Sequence, residues 1–95
     1  MNRQKLDKIK KKLKASSVGI ARIGGLGSNA AVALVRAGIG RLTLVDFDNV
    51  EKINLDRQYY FLDQVGKPKV EALKDNIRKT NPEIRVETHD HIVSA

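Results

Sequence analysis

Apolar residues along the chain follow two periodicities that alternate. In residues 3–15, Leu6, Ile9 and Leu13 recur at i, i+3 and i+7 among lysines, the spacing of one helix face. "SSVGIAR" then turns apolar and predicts a short buried strand over 17–22, which "GGLG" breaks. "LGSNAAVALVRAG" predicts a helix over 26–37. Its Ala30, Ala31, Ala33 and Ala37 let it lie close on a sheet, and Gly38 and Gly40 end it. In "RLTLVDF", Leu42, Leu44 and Val45 flank Thr43 and predict a second strand over 41–46, buried on both faces. Residues 47–66 read as irregular chain with short turns. Val70, Leu73 and Ile77 then mark a helix over 67–80, with Pro68 near its first turn, where a missing N–H costs little. Asn81 precedes Pro82 and so leaves the helical region. "EIRVETH" alternates apolar and polar and predicts a third strand over 84–88.

The order is helix, then strand–helix–strand–helix–strand. Strands alternating with helices imply a parallel sheet with right-handed crossovers. The expected fold is therefore α/β: a Rossmann-like three-layer arrangement around a parallel sheet, preceded by a basic helix. It corresponds to one mononucleotide-binding half of a doubly wound fold. Residues 1–15 form the basic amphipathic helix and residues 16–95 the half-domain. A three-stranded parallel sheet leaves an edge that wants more protein.

Composition narrows the chemistry. Ninety-five residues make one small domain, marginal alone. There are no cysteines, which excludes a disulfide framework, a thiolate metal site and cysteine nucleophilic catalysis in this chain. That usage fits a reducing compartment, and a cytoplasmic location is expected. No run approaches the roughly 18 apolar residues of a membrane span. The basic N-terminus lacks the apolar core and cleavage site of a secretory signal. The net charge of +7 is uneven. Residues 1–15 hold seven Lys/Arg against Asp7 alone, while the remaining eighty are nearly neutral. Such a segment either meets phosphate, nucleic acid or an acidic partner, or is the solvated face of a helix. The apolar spacing favours the solvated face. Stacking aromatics and a nucleic-acid recognition motif are both missing, so neither a nucleic-acid nor a membrane partner is expected.

The glycine loop carries the first chemical signal. Gly24, Gly25 and Gly27 lie between a strand and a helix, where glycine lets the backbone turn tightly and approach a phosphate. The helix N-terminus adds free N–H groups and the positive end of its dipole. Ser28 or Asn29 could add a side-chain donor. Asp46 ends the second strand about twenty residues on, the position that meets a ribose in this fold. Asp48, two residues further, suits a turn. "NLDRQ" brings Asn54, Arg57 and Gln58, and "GKPK" brings Lys67 and Lys69. Arg57 and Lys69 could converge on a triphosphate, a planar fork and a point charge. His89 and His91 alternate in the tail, but a metal site wants three or four ligands, and no metal site is expected from them.

"GGLGS", "AGIGRLTLVDFDNVEKINLDRQ" and "GKPKVEALKDNIRKTNPEI" together closely resemble the ubiquitin-activating-like adenylyltransferases, the ThiF/MoeB/HesA family. The resemblance covers residues 17–90, and the short helix-led form is most similar to ThiF. It implies ATP and Mg²⁺ as cofactors and activation of the C-terminal Gly-Gly carboxylate of a ThiS-like sulfur carrier protein as an acyl-adenylate, in thiamine or related cofactor biosynthesis. By the same resemblance Gly25 and Gly27 lie against the phosphates and Asp46 on the ribose hydroxyls. Asn54, Arg57 and Lys69 contact the phosphates, and Gln58 supports them. Arg57 and Lys69 are the expected catalytic pair. The family's dimerisation implies a possible homodimer, with Arg3 and Gln4 as candidates to reach the other subunit's ATP.

Two departures stand out. The family writes glycine where this chain has Arg22, and usually a small residue where it has Ile23. A Cβ at that turn strains the backbone by about 1–3 kcal/mol, and a long side chain could fill the nucleotide space. Arg22 pointing aside, or facing a phosphate, is the alternative; impairment is the expectation. Second, the family domain is more than twice as long, and its magnesium aspartate lies beyond the matched segment. The chain therefore reads as an N-terminal half, and alone it is expected to be inactive. The competing readings are a non-catalytic interaction module that has lost ATP use, and half of a dinucleotide-binding dehydrogenase, which "NLDRQ" argues against.

Overall fold

The computed structural model describes residues 2–90; His91 lies outside them. The element order is α1 (Arg3–Ala15), β1 (Ser17–Ala21), α2 (Gly25–Ala37), β2 (Arg41–Val45), two 3-10 helices (Lys52–Asp56 and Leu62–Gln64), α3 (Lys69–Thr80) and β3 (Arg85–His89). The strands form one parallel sheet in the order β1-β2-β3. In register, Ser17 lies beside Arg41 and Arg41 beside Arg85 at one end, and Ala21 beside Val45 and Val45 beside His89 at the other.

Alternation along the strands decides which face is covered. Leu42 and Leu44 are fully buried, and their register neighbours Val18, Ile20 and Val86 pack against the same core. Val32 and Val35 of α2 and Val70, Leu73 and Ile77 of α3 complete it. Both helices thus lie over one face. The other face carries Arg41, Arg85 and Glu87, all exposed, while Thr43 and Val45 are half-buried. This corrects the expectation that the second strand is buried on both sides: its inner face alone is closed. A third layer has no counterpart among the described residues.

Element ends follow local chemistry. Gly38 closes α2 with φ 104, the left-handed conformation glycine accepts readily. Pro68 stands one residue before α3, with ψ 134, rather than within its first turn. Asn2 Oδ1 caps α1 by accepting from Lys5 N at 2.9 Å. None of α1 is buried. It meets the sheet through its last turn, where Gly40 N donates to Leu13 O at 3.1 Å and Arg41 N to Ser16 O at 3.2 Å. A Cβ on Gly40 would lie 1.8 Å from Lys14 O, so this contact requires glycine. Among the described residues, no helix is long and apolar enough to cross a membrane.

Candidate functional site

The glycine loop leaves β1 at its C-terminal end, as the sequence predicts. Arg22 turns the chain with φ 67, the one non-glycine residue at positive φ among those described. Its N–H donates to Val45 O at 2.8 Å, so it still belongs to the sheet edge. Ile23 then drives into the core, fully buried. Its N–H donates to Asp46 Oδ2 at 2.8 Å, and its carbonyl accepts from Tyr60 Oη at 2.6 Å. Ile23 therefore anchors the loop and does not obstruct it. Across the turn, a Cβ on Gly27 would lie 2.1 Å from Arg22 O, so helix and strand approach as closely as glycine allows.

The first intrahelical bond of α2 runs from Ser28 N to Gly24 O at 2.8 Å. The N–H groups of Gly25, Leu26 and Gly27 consequently have no acceptor within the helix. Such groups, with the helix dipole, are chemically suited to an anion. Beside them a groove of about 540 Å³ runs along α2 and β1, walled by Ile20, Arg22, Leu26 and Leu34 among others.

The "NLDRQ" segment is laid over this loop by hydrogen bonds. Asn29 Nδ2 donates to Arg57 O at 2.9 Å and to Gly25 O at 2.6 Å. Tyr59 N donates to Ser28 Oγ at 3.0 Å. The side-chain amide of Gln58 lies beside Gly24, 3.7 Å from where a Cβ would stand, and its Oε1 is buried with no hydrogen-bond partner. Arg57 is exposed, with Nε 3.8 Å from Asp56 Oδ2. Its backbone is fixed at the loop while its guanidinium is held by little else, since exposed pairs at that distance contribute little.

Other candidates are committed inside the protein. Ser28 is fully buried and its hydroxyl oxygen accepts from Tyr59 N. This corrects the expectation of a side chain turned toward a phosphate: burial makes Ser28 a brace for the loop. Asn54 Oδ1 accepts from Glu51 N at 2.9 Å, capping the first 3-10 helix. Asp46 is 6% exposed and accepts from Ile23 N and, through Oδ1, from Asp48 N at 2.8 Å. Asp48 is an exposed turn residue whose carbonyl accepts from Lys69 N at 2.9 Å. A chain of contacts thus links α3 to the glycine loop through Asp48 and Asp46. Lys69 itself is 6% exposed, and among the described residues its ammonium meets neither an acceptor nor a carboxylate. Its stem is buried while the ammonium keeps contact with solvent, where an anion can reach it.

Sequence reasoning missed Tyr60. Burial, then the negative charge of Asp46, push its phenol well above the ordinary value of 10.0. The hydroxyl stays protonated and donates to the loop. The signal was "YYF" directly after "NLDRQ", aromatic residues where a solvated loop has no use for them. His89 Nε2 lies 3.4 Å from Glu87 Oε1 on the open face, away from a third ligand. No group of three or more His, Cys, Asp or Glu that could hold a metal occurs among the described residues.

Comparison with known proteins agrees with this geometry. The ThiF family model matches residues 3–95. The ubiquitin-like modifier-activating enzyme 5 of Drosophila pseudoobscura pseudoobscura is 37% identical over 94 residues, 99% of this chain and 24% of that protein. The crystal structure of PaaA superposes with a TM-score of 0.87 at 44% identity, covering 90% of this chain and 27% of that one. The E. coli tRNA N6-threonylcarbamoyladenosine dehydratase TcdA, crystallised with ATP, gives a TM-score of 0.87 at 40% identity, covering 93% and 37%. The chain spans about a quarter of the length of the curated relatives it matches. With a loop, an anchoring aspartate and an overlying "NLDRQ" segment in these positions, the chain belongs to the ThiF family.

Proposed function

We propose that this chain is the ATP-binding portion of an adenylyltransferase that activates the C-terminal carboxylate of a ubiquitin-like carrier. The observation that carries the reading is the stitching of residues 57–59 onto the glycine loop, Asn29 donating to Arg57 O and Tyr59 N to Ser28. It holds the Arg57 backbone against the start of α2, whose first N–H groups have no acceptor within the helix, and this supports the reading. In the reaction a carboxylate oxygen of the carrier attacks the α-phosphorus. The bond from that phosphorus to the bridging oxygen breaks, pyrophosphate leaves with the electron pair, and an acyl-adenylate remains. Such a step asks the protein for position and for stabilised charge. Gly25, Leu26 and Gly27 N–H groups cradle phosphate oxygens, and Arg57 and Lys69 neutralise them. Asn54 donates through its amide nitrogen, Gln58 supports Gly24, and Asp46 receives the ribose hydroxyls. Among the described residues no cluster of three or more metal-binding side chains gathers, so Mg²⁺ would be held chiefly by the nucleotide's own phosphates.

The finer reading is a ThiS-like sulfur carrier as substrate, in thiamine or a related biosynthesis in the cytoplasm, by a homodimer. A second reading, a non-catalytic interaction module, draws on the strained Arg22. An amide NMR titration with Mg-ATP separates the two. Shifts confined to residues 24–28 and 54–58, lost in Arg57→Ala and Lys69→Met, support the enzyme reading. A folded spectrum with no response in the native chain, and a response in Arg22→Gly, supports the module.

A further inference from the structure

We propose that the basic cleft at the opposite end of the sheet from the glycine loop binds the phosphodiester backbone of a nucleic acid. The cleft has a volume of about 900 Å³. Its walls carry Lys10 and Lys14 from α1, Arg36 from α2, Arg41 from β2 and Arg85 from β3, against Glu83 as the one lining carboxylate. Register sets Arg41 directly beside Arg85. Like charges facing each other on neighbouring strands repel. Arg41 has Glu87 at 3.8 Å in an exposed pair, which relieves little. Lys10, Lys14 and Arg85 meet no carboxylate among the described residues. An anion in the cleft removes the repulsion that folding leaves in place.

The shape of the positive surface selects the anion. On the face of α1 that carries Lys10 and Lys14, Arg3 extends the positive surface toward the N-terminus, with Asp7 between, along a helix of about 20 Å. That length suits a row of phosphates better than a single ion. The larger apolar residues of the cleft, Ile39 and Ile84, are 4% and 5% exposed and already spent on the core. Among the described residues the exposed large apolar side chains do not line the cleft, Leu6 and Ile9 of α1 included. A protein interface is built around apolar or aromatic anchors, which this cleft lacks. No aromatic side chain lines it either, so contact falls on the backbone and not on the bases. In the sequence, nucleic acid is disfavoured by the lack of stacking aromatics and of a recognition motif, which serve base contact. Phosphate contact needs cations alone, and folding gathers Arg36, Arg41 and Arg85 from a segment that is nearly neutral as a whole.

The test is fluorescence anisotropy of the full chain with a labelled RNA duplex of about 16 base pairs, repeated over a salt series. Five cleft cations at about 0.9 each give a slope of log K against log[salt] of about −4.5. Lys10→Glu with Arg85→Glu is expected to weaken binding about tenfold or more and to flatten the slope by about 2. Lys52→Glu with Lys67→Glu changes net charge equally outside the cleft, and is expected to alter binding by less than about twofold. Equal weakening by the two pairs overturns the proposal, because binding then follows net charge. Poly-glutamate displacing the duplex at matched charge also overturns it, and assigns the cleft to an acidic polypeptide. Where circular dichroism shows the charge reversal to be unfolded, Lys10→Gln with Arg85→Gln carries the same comparison.

Discussion

Arg22→Gly should stabilise this protein, against the general rule that substitutions destabilise. Arg22 holds φ 67, where an L side chain crowds the following carbonyl. It cannot relax, because its neighbours over-determine it. Its N–H is bonded to Val45 O at 2.8 Å, and Ile23 is bonded at both N and O and buried. The strain is about 1–2 kcal/mol. Glycine removes it but gains freedom in the unfolded chain, which takes back about 0.4–1 kcal/mol. The net gain is about 0.5–1 kcal/mol. Urea denaturation reads this as a midpoint about 0.5–1 M higher at unchanged m. Arg22→Ala keeps the Cβ and therefore the strain, and should show no gain. Arg22→Asn should fall between, since asparagine tolerates the left-handed region. A glycine variant no more stable than the native chain would refute the reasoning. So would an alanine variant that gains as much, because the guanidinium and not the backbone would then be the source.

Gly27→Ala should destabilise by about 1–3 kcal/mol in the same assay, since its Cβ would stand 2.1 Å from the Arg22 carbonyl oxygen, a backbone atom that cannot swing away. Tyr60→Phe should cost about 1–3 kcal/mol near neutral pH by leaving the buried Ile23 carbonyl unpaired. Its pH signature has a definite sign. The folded phenol titrates above its unfolded value of 10.0, so the stabilisation is complete below pH 10 and is lost as the unfolded chain ionises above it. The native chain should therefore lose stability by up to about 1.4 kcal/mol per pH unit there relative to Tyr60→Phe, and parallel curves would discount the burial. Asp46→Asn should cost about 1.5–3 kcal/mol, because a carboxylate accepting from Ile23 N and Asp48 N becomes an amide with one acceptor. Hydrogen exchange should then accelerate at residues 22–28 before it does so elsewhere.

Most of the fold was legible because each element carries its own punctuation. Glycine ends α2, Pro68 precedes α3, and period-2 alternation marks β3. What was not legible arises from contacts far apart in sequence. Ile23 looked like a bulky intruder in a phosphate loop. Its burial depends on Asp46 and Tyr60, 23 and 37 residues away. Ser28 looked like a phosphate donor because loop serines often are. Tyr59, 31 residues on, turns it into a brace. The second strand read as buried on both faces from its apolar run, yet α2 and α3 lie over one face, and a sequence window does not say which side a crossover takes. The sequence did carry the strain at Arg22, since a Cβ at that turn is a local, steric matter.

Asp46 shows how one residue can hold the site and take part in it. Expected at the ribose, it is found bonded to two backbone N–H groups, one in the loop and one in the turn toward α3. These roles are compatible. A carboxylate offers about four lone-pair positions, and two remain. Both engaged oxygens are charge-assisted acceptors, so the group is oriented before a ligand arrives, and on the proposed function ribose hydroxyls would meet acceptors already in place. The same bonds connect the loop, through Asp48, to the buried Lys69. A nucleotide seated here would couple three segments that the fold has already joined. Disturbing Asp46 should therefore loosen the loop and Lys69 together, while Arg57→Ala, exposed and nearly free, should change binding and leave stability where it was.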